Sequence, residues 1–173
     1  MSINRLPSIR TCFLIIFLIC CGLMATAFYM QEVMELEPCY MCILQRVFVI
    51  ATGVVALLAA VHNPRQLGVR IYSLLTAAMA LTGSFFSGKQ LWLQSLPKDH
   101  PYIPDCGASV DYLFQVESFT TALSKLLRGD GNCAEVQWTF LGLSIPGWTL
   151  VCFIGLAALA LWQICRKTDK INS

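Results

Sequence analysis

Charge is scarce in this 173-residue chain: Asp, Glu, Lys and Arg together make up 13% of it, against about 25% in an ordinary soluble domain. That shortage excludes a water-soluble globule. The basic residues are scattered and leave a net charge of only +2, which excludes a nucleic-acid binder. With 57% hydrophobic residues the chain is neither disordered nor collagenous. Also missing are a second C-x-x-C, which a zinc site built on paired ligands would want, and a histidine after the C-x-x-C at Cys39–Cys42, where Ile43 excludes a c-type haem.

What the chain has instead is apolar length, with a mean hydropathy of +0.65. A helix needs roughly 20 mostly apolar residues to cross a bilayer. Thr11 to Gln31 and Ile71 to Gly88 carry no charge, and neither does Val47 to Pro64, which Cys42, Ile43 and Leu44 extend. A fourth uncharged run, Val136 to Cys165, is too long for one simple span, so Pro146 is expected to open its crossing part, proline being tolerated in a first helical turn. The expected fold is an all-α integral membrane protein with four transmembrane helices, about 11–30, 43–62, 71–89 and 146–165, forming a single domain over 1–173. Ala25-Thr26-Ala27 looks like a signal-peptide cleavage site, but the apolar run continues through Phe28, Tyr29 and Met30.

Short cytoplasmic loops carry the Lys and Arg excess. Arg5, Arg10, Arg65, Arg70, Arg166, Lys167 and Lys170 fall on one side with a single acid, Asp169. Opposite lie Glu32, Glu35, Glu37, Asp99, Asp105, Asp111, Glu117, Asp130 and Glu135, against Lys89, Lys98, Lys125 and Arg128. Both termini are therefore expected in the cytoplasm, with two outer loops, about 31–42 and 90–145.

Cys12, Cys20, Cys21, Cys152 and Cys165 fall within spans or at their ends and read as packing residues. Cys39, Cys42, Cys106 and Cys133 all belong to the outer side, an oxidising compartment if the membrane is a bacterial inner membrane. Three pairings are possible; proximity favours Cys39 with Cys42, and Cys106 and Cys133 then pair by default. Inert structural disulfides are the plain alternative. Pro38 points the other way: it helps to start a helix whose first turn holds both thiols, where the dipole and unpaired amides favour reactive thiolate. Arg46 shares a helix face with Cys39 and Cys42, and an arginine one turn inside an apolar span is costly without an anionic partner. A thiolate or a reduced quinone oxygen would serve; a snorkelling anchor is the bland reading.

Pro97, Pro101 and Pro104 place Cys106 on an extended segment open to a partner protein. Beyond it Tyr112, Leu113, Val116, Phe119, Leu123, Leu126 and Leu127 recur at helical spacing in a run too short and polar to span, so a short surface helix is expected on the outer side, lying on the membrane or packed on the bundle.

Together these residues resemble the bacterial disulfide bond formation protein B (DsbB) family of quinone-linked thiol oxidases. The most specific pieces are Pro38-Cys39-Tyr40-Met41-Cys42 with Gln45-Arg46, Trp92-Leu93-Gln94, and Gly131-Asn132-Cys133-Ala134-Glu135-Val136-Gln137-Trp138 with Phe140-Leu141-Gly142 and Pro146. The resemblance implies that Cys39 and Cys42 are coupled to a quinone, ubiquinone or menaquinone, that Cys106 and Cys133 face a periplasmic DsbA-like thiol oxidant, and that Arg46, with Gln90 and Gln94, contacts the quinone. Two positions depart from the pattern: some relatives have an acid at Gln45 and many a histidine at Gln90. Rival readings are a vitamin K epoxide reductase-like enzyme, whose C-x-x-C would belong to a late span, and a non-catalytic scaffold with two structural disulfides.

Overall fold

The computed structural model describes residues 7–97, 101–102, 115, 118–129 and 131–166. Four long helices dominate them: α1 (Ile9–Glu32), α2 (Tyr40–His62), α3 (Gln66–Gln94) and, after the outer connection, α5 (Ile145–Cys165), each long and apolar enough to cross a membrane. Between α3 and α5 come a short helix α4 (Phe119–Arg128), a 3-10 turn (Gly131–Ala134) and a two-stranded hairpin of β1 (Thr139–Phe140) and β2 (Leu143–Ser144).

The helix ends follow local chemistry. Ser8 caps α1, its Oγ accepting from the Thr11 amide at 3.1 Å. Asn63, left-handed at φ 44°, closes α2, and Pro64 prevents continuation. Pro146 lies in the first turn of α5, as expected of the residue opening the fourth span. The uncharged residues ahead of it are the hairpin, turned by Leu141 (φ 51°) and Gly142 (φ 80°).

α1 packs along α2, α2 along α3 and α3 along α5, whereas α1 and α5 barely touch. Buried positions are largely small: Ala56, Ala59, Ala60, Ala80, Ala157 and Ala160, around Phe13, Ile16 and Phe153. Small side chains let helices approach where lipid gives no hydrophobic drive. Gly83 is the tightest case, for a Cβ there would run into the Phe153 ring. Large apolar side chains such as Leu18, Leu58, Leu74 and Phe85 point outward. At one end Arg166 joins three helices, with Nη1 donating to Cys12 Sγ at 3.4 Å and its carbonyl accepting from Gln66 at 3.0 Å.

The other end is capped by α4. Ala122 and Leu126 are buried against Tyr40, Met41, Leu93 and Cys133, while Leu123 and Leu127 stay exposed. The expected surface helix is thus present and seated on the bundle. Lys89 of α3 donates to the carbonyls of Leu127 (2.8 Å) and Arg128 (3.2 Å), closing the helix at its negative dipole end. The residues expected to begin this helix, Tyr112, Leu113 and Val116, lie outside the described residues.

Candidate functional site

Pro38 leads the chain into α2, and Cys39 is its N-cap with extended backbone (φ −70°, ψ 169°), which leaves Cys42 in the first turn. The Cys39 thiol donates to Cys42 Sγ at 3.0 Å. The 3-10 turn brings Cys133, fully buried, into hydrogen-bond contact with Cys39. Three of the four outer cysteines therefore meet at one point, with Cys39 in the middle. Cys106 lies outside the described residues, and with it the expected pairing to Cys133.

At Cys39 the helix start is not the only influence on the thiol. Its thiol is pushed well above the ordinary range, first by the hydrogen bond with Cys133, then by that with Cys42, then by burial. Cys39 is the cap rather than a first-turn residue, and its side chain makes no capping bond to the helix amides. Its sulfur faces other thiols instead.

Gln90 of α3 lies beside this cluster, its Nε2 donating to Cys39 Sγ at 3.3 Å and to Cys42 Sγ at 3.4 Å. The Gln90 carbonyl oxygen accepts from Gln45 Nε2 at 2.7 Å, and Gln45 Oε1 accepts from the Thr149 hydroxyl, also at 2.7 Å. Gln94 tethers the outer connection: its Nε2 donates to the Glu135 carbonyl at 3.3 Å, and its Oε1 accepts from Ser144 at 2.7 Å.

On the far side of Cys42, where α1 and α5 separate, is a cavity of about 280 Å³. Its wall is mostly apolar, with Leu23, Met24 and Met30 of α1, Val49 of α2, and Trp138, Phe140 and Trp148 among the lining side chains. Its polar margin includes Cys42, Gln45, Arg46 and Thr149. Arg46 is held to α1 by Nη1 on Gln31 Oε1 and Nη2 on the Ala27 carbonyl at 3.1 Å, with its guanidinium over the Phe28 ring at 5.7 Å. It is tied down by protein, unlike a snorkelling anchor, and it shares a cavity wall with Cys42. Neither Gln90 nor Gln94 lines that cavity; both border a small cleft with Cys39, Cys42, Asn132 and Pro146, because α3 packs on the opposite side of α2 from α1. Cys42 alone among the three described outer cysteines lines both spaces.

Cys152, read from the sequence as a packing residue, also lines the cavity, and so do Thr149 and the hairpin aromatics. Trp138 stacks on Phe140 (centroids 5.9 Å apart), and Trp148 Nε1 donates to the Phe140 carbonyl at 3.0 Å, which holds the hairpin over the cavity. The sequence carried a faint signal for this wall in Trp138, Phe140 and Trp148, which recur just ahead of and within the first turn of a span.

A family sequence profile described as disulfide bond formation protein DsbB matches residues 9–163. A Disulfide bond formation protein B from Saccharophagus degradans is 48% identical over 167 residues, covering 96% of this chain and 99% of that protein. Proteins of the same name from Methylococcus capsulatus and Marinobacter nauticus are 49% and 51% identical over 158 residues, each covering 91% of this chain and 95% and 93% of their own lengths.

Proposed function

The chain belongs to the DsbB family of disulfide bond formation proteins, and on that premise we propose that it is a protein-dithiol:quinone oxidoreductase of the bacterial inner membrane, reoxidising a DsbA-like periplasmic thiol oxidant. The observation that carries the reading is the position of Cys42, bordering the thiol cluster on one side and the apolar, arginine-edged cavity on the other. A cavity of about 280 Å³ lies at the small end of ligand pockets and suits a small ligand. An apolar wall with a guanidinium at its rim fits a quinone ring whose oxygen gains negative charge on reduction.

The exchange is serial. A partner thiolate attacks Cys106 of a Cys106–Cys133 disulfide, forming a mixed disulfide and releasing Cys133 as thiolate. Cys133 lies against Cys39 and attacks it, so the Cys39–Cys42 bond breaks and Cys42 leaves as thiolate. The partner's second thiolate attacks the mixed disulfide and departs oxidised, releasing Cys106. Cys106 then attacks Cys133, restoring their disulfide and freeing Cys39. Cys39 and Cys42 now hold the two electrons that the partner gave up. A quinone held in the cavity would supply the oxidant, accepting the two electrons and two protons that Cys39 and Cys42 give up as their disulfide closes again. Arg46 holds negative charge at the cavity rim throughout.

Purified protein mixed with a reduced dithiol partner and a short-chain quinone should lose quinone absorbance while the partner's thiols disappear in equal number. A Cys133→Ala variant offered the oxidised partner should accumulate a mixed disulfide, because its Cys106 thiolate opens the partner's disulfide and the resolving thiol is gone, and Cys106→Ala should not. No turnover would reduce the protein to a scaffold; equal trapping by both variants, or by neither, would defeat this assignment of roles to Cys106 and Cys133.

A further inference from the structure

Cys42, Gln90, Gln45 and Thr149 form a continuous hydrogen-bonded chain across α2, α3 and α5. Both amides are buried, Gln45 at 4% exposure and Gln90 at 3%, so water does not compete for their donors and acceptors. A buried primary amide presents either its NH2 or its oxygen to a neighbour, and the choice is made by what its other end meets. Gln90 offers its NH2 to the sulfurs at 3.3 and 3.4 Å while its oxygen is taken by Gln45 at 2.7 Å and is only a more distant acceptor, at 3.7 Å, for the Cys42 thiol. Gln45 can give that NH2 only because its own oxygen is taken by Thr149.

Thr149 therefore sets the polarity of the whole chain. Its hydroxyl has one proton and two acceptors in range, Gln45 Oε1 at 2.7 Å and the Pro146 carbonyl at 3.0 Å. Ser87, the other hydroxyl nearby, sits 3.3 Å from Thr149 and has the Gly83 carbonyl at 3.0 Å for its own proton. With the Thr149 proton on Gln45, an N–H points at Cys42; with it on Pro146, both amides can turn over and a carbonyl oxygen faces Cys42 instead. The first arrangement stabilises a sulfur bearing negative charge and the second disfavours it.

We propose that Thr149 is a positioning residue for the redox pair, acting through Gln45 and Gln90 to aim an amide donor at Cys42 when that sulfur departs as thiolate. The inference rests on the reading of Cys42 as the leaving sulfur and adds the device that stabilises it. Gln90 is then assigned to the thiols and not to the quinone. The donor is an amide, which does not titrate, so its support for the thiolate is independent of pH.

Thr149→Val keeps the shape and removes the hydroxyl; Thr149→Ser keeps the hydroxyl. In reduced, quinone-free protein in detergent near neutral pH, labelling of Cys42 by iodoacetamide, resolved by peptide mass spectrometry, should slow about ten-fold in Thr149→Val, as expected for one lost charge-assisted hydrogen bond. Thr149→Ser should restore the rate, and thiolate ultraviolet absorbance should fall and recover in parallel. Gln45→Leu, which cuts the chain one link nearer the sulfur, should slow labelling to the same extent and stands in if the valine variant fails to insert. A wild-type rate in Thr149→Val, or a rate in Thr149→Ser as slow as in valine, would overturn the proposal. Quinone reduction by the wild-type protein in the same preparation tests the underlying function separately: its absence would sink that function while the labelling rates still judge Thr149.

Discussion

Arg46 is the residue at which sequence and structure bear most directly on each other. Its spacing from Cys42 places both on one helix face in the sequence, and both line the same cavity wall in the structure. Its donors to Gln31 and to the Ala27 carbonyl diverge from one planar group, a geometry that an ammonium on a flexible stem does not reproduce. Arg46→Lys should therefore insert normally and keep its disulfides but require more quinone for half-maximal turnover. Loss of one charge-assisted contact costs about 1.5–3 kcal/mol, equivalent to roughly a 10 to 150-fold weaker interaction. Titrating turnover against quinone concentration checks this, and an unchanged dependence would return Arg46 to a purely structural role. That Cys39, Cys42 and Arg46 are neighbours was legible because they lie within about two turns of one helix. Thr149 was not: its contact with Gln45 spans 104 positions and exists only once α2 and α5 are packed. The Cys133 thiol beside Cys39 was hidden for a related reason, since the dipole argument sees the helix but not what folding brings against it.

At the scale of the elements, the spans were readable from the absence of charge, while their mutual packing was not. The contact of Gly83 with Phe153 and that of Ser87 with Thr149 place α3 and α5 in one antiparallel register. That register also sets Ser73 level with Gln163, both buried and without hydrogen-bond partners among the described residues, and nothing else in the structure accounts for their polarity. A glycine in an apolar run has no visible partner until the facing helix is known, so the sequence could not separate Gly83 from Gly155, whose Cβ would meet nothing within 4 Å. The two should behave differently. Gly83→Ala forces the Phe153 ring or the helix axis to move, and overpacking of this kind costs about 1–3 kcal/mol. Thermal unfolding in detergent should show a lowered midpoint for Gly83→Ala and none for Gly155→Ala; equal midpoints would mean that α3 and α5 are not packed through Gly83. The hairpin escaped notice because residues 136–165 form one uncharged run, and the turn at Leu141 and Gly142 breaks it without any change in polarity.

Across the whole molecule, charge and chemistry divide between the two ends of the bundle. Among the described residues, Arg10, Arg65, Arg70 and Arg166 gather where α1 begins, α2 meets α3 and α5 ends; Glu32, Glu35, Glu37 and Glu135 lie at the other end, with Cys39, Cys42, Cys133 and the α4 cap. Basic ends stay in the cytoplasm because positively charged loops resist translocation, whereas acidic residues contribute little to orientation. Disulfide chemistry adds an independent constraint, since a thiol cluster meant to be oxidised works only where reductants do not undo it. Under the function proposed above, charge and redox compartment both point to an orientation with the cysteine end in the periplasm. A reporter that folds only outside the cytoplasm, such as alkaline phosphatase, should be active when fused after Pro104 and silent when fused after Arg65. The second fusion discriminates most, because the connection at Asn63–Arg65 is too short to hold any signal except its charge. Replacing both Arg65 and Arg70 with Glu should weaken that bias and raise reporter activity at the Arg65 junction. A fusion after Arg65 that is active in the unmodified chain would invert the bundle, place the thiols among cytoplasmic reductants, and remove the basis for a periplasmic partner.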